Sequence, residues 1–289
     1  MYETTQPSSS RAARVIRFPL TRLVIAILWM GGWLFGLIAL KIKPPLLGSV
    51  VAAAVIAAAY FIYVRVVERR DVSELAPRRA PAEFGAGFVL GAALFTTTIA
   101  MIWALGDYAV TGINPWSSML APLIAGLAAG VTEEILFRGV IFRITEDWVG
   151  SWGALAFSSL LFGAAHLANP HATVMSALAI ALEAGVLLGA AFMITRRLWL
   201  PIGLHAAWNF TQAGIFGAAV SGTTQHGLFA SRLSGPVWAT GGGFGPEASM
   251  PAVVVALSSV WLLVYAVRKG LVVPPLWRRT SSDGIGERL

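Results

Sequence analysis

Cysteine does not occur in this chain. That absence excludes a disulfide framework, a thiolate metal site and a cysteine nucleophile. Two motifs are missing as well: no G-x-S-x-G elbow is present to support a serine-histidine dyad, and no HExxH helix is present to bind zinc. Charge is scarce. Asp, Glu, Lys and Arg make up 12% of the 289 residues, against 57% hydrophobic, and the mean hydropathy is positive. These values belong to a membrane protein rather than a soluble globular one. Lys and Arg outnumber Asp and Glu by 21 to 14, but the basic residues sit in clusters between apolar stretches and form no dense patch. They read as topology signals, and no nucleic-acid partner is expected.

Apolar segments near Leu20 to Leu40, Pro45 to Val67, Phe84 to Leu105, Ser117 to Phe142, Trp152 to Leu167, Ala172 to Ile194, Pro201 to Val220 and Pro251 to Val267 are each near the length that crosses hydrocarbon, about 20 residues. The expected fold is therefore all-α, a polytopic transmembrane bundle of about eight spans. The first apolar stretch exceeds a signal-peptide core and lacks a small-residue cleavage site, so it reads as a retained span. The expected organisation is a cytoplasmic tail (1–19), N-terminal spans (20–115), a core (116–220), an external Gly-rich loop (221–250), and a last span with a second cytoplasmic tail (251–289). With the amino terminus inside, the inner side receives nearly all the arginines, from Arg11, Arg14, Arg17 and Arg22 to Arg278 and Arg279. The outer side receives only Lys41, Lys43 and Arg232. Both termini are expected to be cytoplasmic, in a cell (inner or plasma) membrane. The segment from Arg69 to Phe84 reads equally as a short amphipathic piece on the inner surface or as a solvated loop.

Ionisable residues inside apolar spans cost roughly 2.5 to 3.5 kcal/mol each on insertion, so each is a candidate for function. They are few: Glu133, Glu134 and Arg138 in the fourth span, His166 in the fifth, Glu183 in the sixth, and His205 with the polar Asn209 in the seventh. Glu134 and Arg138 are four apart with the acid first, a spacing that pairs them on one helix face. His205 with Asn209, and Phe162 with His166, repeat that spacing. Rise per residue places Glu133 roughly 15 Å, His166 about 20 Å and His205 on the order of 6 Å from the inner ends of their spans, depths at which three helices can share one polar cavity. Glu183 reads as a bond to a neighbouring helix, a wall of the substrate path or a third acid. His171 and His226 read as solvated loop residues.

Three ordered motifs, Glu133-Glu134-Ile135-Leu136-Phe137-Arg138-Gly139, Phe162-Gly163-Ala164-Ala165-His166 and His205-Ala206-Ala207-Trp208-Asn209, resemble the CPBP family of intramembrane proteases, the CAAX prenyl protease and bacteriocin-processing group also called the Abi family. The likeness covers about Ala121 to Thr211. It implies a helical membrane fold with a cavity open to the cytoplasm, water activated by Glu133 and His166, an oxyanion stabilised by His205 and Asn209, and Arg138 holding Glu134. The residue chemistry agrees with this, because hydrolysis needs a base for water and donors for the oxyanion. Metal use stays open. Glu133, His166 and His205 form an acceptable ligand set for catalytic zinc, yet carboxylate and imidazole can activate water alone, and the balance leans toward no tightly bound metal. The expected function is endoproteolysis of a membrane-associated peptide or protein within the lipid bilayer. Alternatives are a non-catalytic membrane scaffold or chaperone of the same fold, and a small transporter with a proton relay. The oligomeric state is not legible.

Overall fold

The computed structural model describes residues 18–43, 45–224 and 226–278. Most of the expected 1–19 tail, with Arg11, Arg14 and Arg17, and the stretch from Arg279 onward lie outside the described residues.

Helix punctuation sets the limits of each apolar run. Pro19 opens α1 (Pro19–Leu40), where its missing N–H costs no hydrogen bond, and Lys41 closes it in the left-handed conformation, donating its N–H to Ile38 O. α2 (Pro45–Tyr63) widens into a π-turn over Val64–Glu68, and α3 (Ala80–Ala104) starts at an Ala-Pro pair. α4 (Leu120–Glu134) passes through a π-turn (Ile135–Phe142) into α5 (Arg143–Ala165). α6 (Val174–Ile180) is capped by Thr173, whose hydroxyl accepts from Ser176 N. It continues through a π-turn (Ala181–Gly185) into α7 (Val186–Thr195). α8 (Trp199–Phe210) ends in a π-turn (Thr211–Ile215). After the short α9 (Val237–Thr240) come α10 (Met250–Ala256), capped by Ser249, and α11 (Ser259–Arg268).

Six of the described helices are long and apolar enough to cross a membrane, against eight spans expected. The difference has two sources. Trp116–Ala168 counts as one 53-residue helical stretch, although Gly150, at φ 77°, turns the chain between the expected fourth and fifth spans. The expected seventh span is a 12-residue helix with a 5-residue π-turn, a little under the length that crosses about 30 Å of hydrocarbon. Large apolar side chains such as Leu28, Phe35, Val89 and Trp261 are exposed, as expected for surfaces that meet lipid. The bundle departs from a purely helical fold at one place. β1 (Tyr108–Ile113) and β2 (Phe229–Leu233) form an antiparallel pair running from Tyr108↔Leu233 to Ile113↔Phe229. It ties the α3–α4 connection to the one after α8.

The opposite end of the bundle is closed by ion pairs. Glu68 bonds Arg22 (2.6 Å), Arg70 (2.8 Å) and Arg143 (2.9 Å), and Glu74 bonds Arg70 (2.8 Å). Arg197 holds Glu83 at 2.7 Å, and Arg196 holds Glu146. The segment expected as a surface helix or solvated loop is instead a strap. It contains one short 3₁₀ turn (Ser73–Leu75) whose Glu74 is buried, and Glu74 O accepts from Leu198 N. Paired acids allow a charged segment to be tucked in where lone ones would resist burial.

Helix α8 is wedged between α3 and α4 by small residues, which let backbones approach where lipid gives no hydrophobic drive. A Cβ on Gly91 would stand 2.2 Å from Leu204 O, and one on Gly87 2.2 Å from Leu200 O. These obstacles are backbone and cannot swing away. Gly91→Val is therefore expected to cost about 3 kcal/mol or more, read as a lower melting temperature in detergent, and an unchanged value would contradict this packing. The resulting α3–α4–α8 unit carries His205 and Asn209 against Glu133 and Glu134.

Candidate active site

Glu134 and Arg138 are both fully buried, and Arg138 Nη1 donates to Glu134 Oε1 at 2.9 Å. The arginine is also held from the far side. Its Nη2 donates to Ala184 O and Gly185 O, each at 3.0 Å. Those carbonyls lie at the π-turn of the sixth span, where the regular hydrogen-bond ladder is interrupted and acceptors become available. The guanidinium carbon lies 4.8 Å above the Phe162 ring, a cation–π contact in a dry setting. Glu134 Oε1 also receives His205 Nδ1 at 2.8 Å. One carboxylate thus joins α4, α8 and, through Arg138, the sixth span.

Glu133 is the freer of the two acids. Its side chain is 31% exposed, its Oε2 stands 3.9 Å from His205 Nε2, and that oxygen has no hydrogen-bond partner. His166, at the end of α5, places Nδ1 2.7 Å from Phe162 O. A carbonyl can only accept, so Nδ1 carries a proton, and in the neutral ring Nε2 keeps its lone pair. By the same reasoning His205 Nδ1 donates to Glu134. Phe162 packs against both imidazoles, at ring distances of 4.8 Å to His166 and 6.1 Å to His205, and meets Phe137 edge-on at 4.9 Å.

These groups line a narrow cavity of about 40 Å³. Its wall includes Glu133, His166, His205 and Asn209, so five of the six residues singled out in the sequence (Glu133, His166, His205 and Asn209 directly, Glu134 through His205) meet at one place, with Arg138 behind them. Glu183 is buried and lines the same cavity. Sequence reasoning missed Glu247, Ser221 and Trp208. Glu247 and Ser221 come from the segment read as an external loop, which also forms part of the wall. Ser221 N donates to Glu247, and Gln212 Nε2 donates to it as well. A signal existed in the sequence: Glu247 is the one acidic residue between Glu183 and Asp283. Trp208 lines the cavity with an indole N–H that has no partner.

Burial pushes the Glu247 carboxyl up to about 8, so it is largely protonated at neutral pH. A carboxyl raised in the fold supports folding fully below its ordinary value near 4.5, and that support fades as pH rises through about 8. Glu183 shares the wall and adds like-charge repulsion once both are ionised. The melting temperature is expected to fall between pH 5 and 9, and Glu247→Gln, which mimics the neutral form, is expected to flatten that slope. An equal slope in the variant would remove Glu247 as the cause.

The donors a catalytic zinc would use are Glu133, His166 and His205. Among the described residues, however, no three His, Cys, Asp or Glu side chains converge on a point that could hold a metal ion. As they stand, those three donors are not gathered into a metal site.

Fold and site together define a helical membrane protein with a polar cavity inside the bundle. Residues 115–211 match the family described as Rce1-like, type II CAAX prenyl endopeptidase. This is consistent with the CPBP family that the three motifs resemble, and the match spans all of them. The name of that family describes an endopeptidase, and the match covers residues 115–211 of the 289. No curated protein and no solved structure matches the chain.

Proposed function

We propose that the protein is an intramembrane endopeptidase that hydrolyses a peptide bond of a membrane-associated protein or peptide. The observation that supports this most is the unpartnered Glu133 Oε2, turned toward His205 in a polar cavity, while the neighbouring Glu134 is tied through its Oε1 to Arg138 and His205. A buried oxygen without a hydrogen bond is costly, and a water held there would satisfy it.

In this reading Glu133 takes the proton as that water attacks the scissile carbonyl, and His166 Nε2, unprotonated in the neutral ring whose Nδ1 donates to Phe162 O, steadies the same water. The tetrahedral oxyanion is met by Asn209 and by His205 Nε2 when that nitrogen carries a proton. The C–N bond then breaks, and the amine leaves with the proton taken up by Glu133. Glu134 and Arg138 act as positioning residues that fix the His205 ring.

The test is cleavage of a membrane-tethered peptide library by purified protein in liposomes, comparing wild type with Glu133→Gln and His166→Ala, each with and without a chelator. Loss in both variants supports the water-activating pair, and loss of wild-type cleavage with chelator alone would bring a metal into the mechanism. Cleavage by the variants at the wild-type rate would leave a non-catalytic scaffold.

A further inference from the structure

We infer that the cavity is reached from the non-cytoplasmic side of the membrane, so that the substrate is a peptide bond of a membrane protein or peptide exposed at that leaflet. This rests on the proteolytic reading above and reverses the cytoplasm-facing cavity that the family resemblance implies.

The inference follows from where the ends of the helices lie. α8 begins at the ion-paired end, where Leu198 N donates to Glu74 O and Trp199 Nε1 to Ala76 O. α11 finishes at the same end, where Leu271 O accepts from Arg196. The connection that leaves α8 and enters α10 therefore lies at the other end of the bundle, and it supplies Ser221 and Glu247 to the cavity wall. His166 agrees, because it closes the helical run after Gly150, which starts at the ion-paired end, where Ser151 N donates to Val273 O just past α11. Toward the ion-paired end the bundle is solid: Ile135, Val140, Phe142, Leu198 and Ile202 belong to one buried apolar cluster.

Charge then orients the molecule. Among the described residues, and apart from Arg138 inside the bundle, Lys and Arg fall at helix ends or connections of the ion-paired end, except for Lys41, Lys43 and Arg232. Basic residues concentrate on the cytoplasmic side, which places the packed, ion-paired end inside and the cavity end outside.

A chain without cysteine suits a direct measurement. Thr224→Cys, exposed at the cavity end, and Ser73→Cys, exposed in the strap, are treated with a membrane-impermeant maleimide in intact cells. Thr224→Cys is expected to label in intact cells and Ser73→Cys only after the membrane is opened; the reverse pattern overturns the inference while leaving the protease reading standing. Two membrane-anchored reporters, with the peptide library on one side or the other, complete the test in the same cells. Cleavage of the outer reporter, lost in Glu133→Gln, supports the inference, and cleavage of the inner one alone overturns it. If labelling is as expected but neither reporter is cut, the proteolytic reading fails and the substrate assignment falls with it.

Discussion

Glu133→Gln is expected to lower the cleavage rate by about 10²–10⁴-fold, the range that a general base contributes, and to leave the melting temperature close to that of wild type. The two halves of this expectation have one cause. Glu133 Oε2 makes no hydrogen bond, and the carboxylate is partly exposed in the cavity, so an amide of the same shape removes the basicity without removing a packing contact. The measurement is an initial rate on a tethered peptide alongside a thermal melt of the same preparation. A large fall in melting temperature would mean that Glu133 is structural, and an unchanged rate would end its assignment as the base.

The neighbouring residue is expected to behave in the opposite way. Glu134→Ala leaves Arg138 fully buried with its carboxylate partner gone, and stranding a buried charge costs about 3–5 kcal/mol. It also frees His205 Nδ1 from its acceptor. The variant is expected to melt well below wild type, or to fail to accumulate in the membrane. Arg138→Met in the Glu134→Leu background, which removes both charges, should recover much of that loss, because an apolar pair of similar volume is often tolerated where a lone charge is not. Activity should not return with it, since His205 would remain unheld. A double variant as unstable as Glu134→Ala would show that shape, rather than charge, dominates at this site.

Much of the site was legible because its logic is local. Glu134 with Arg138 and Phe162 with His166 are one helical turn apart, and that spacing alone allowed the ion pair and the stacked ring that the structure contains. Apolar length also located the membrane-crossing runs. Contacts that depend on tertiary folding were not legible. Nothing near Ala184 or Gly185 announces that their carbonyls will hold Arg138, since backbone acceptors carry no side-chain signature. The share of the loop from Ser221 to Ser249 in the cavity wall was hidden for a related reason: Gly-rich, polar composition resembles a solvated connection, while Glu247 is drawn inward by Ser221 and Gln212. The strap from Arg69 to Phe84 was ambiguous because two of its acids find arginine partners far away in sequence, Glu74 on Arg143 of α5 and Glu83 on Arg197.

The π-turn at Ala181–Gly185 makes the sixth span sensitive to chain length as well as to side chains. Each residue of a regular helix advances the direction of its neighbours by about 100°, so deleting a single residue there, even an alanine, would straighten the helix and swing the Ala184 and Gly185 carbonyls off the Arg138 guanidinium. Natural variation in this segment should therefore exchange one side chain for another far more readily than it gains or loses a residue.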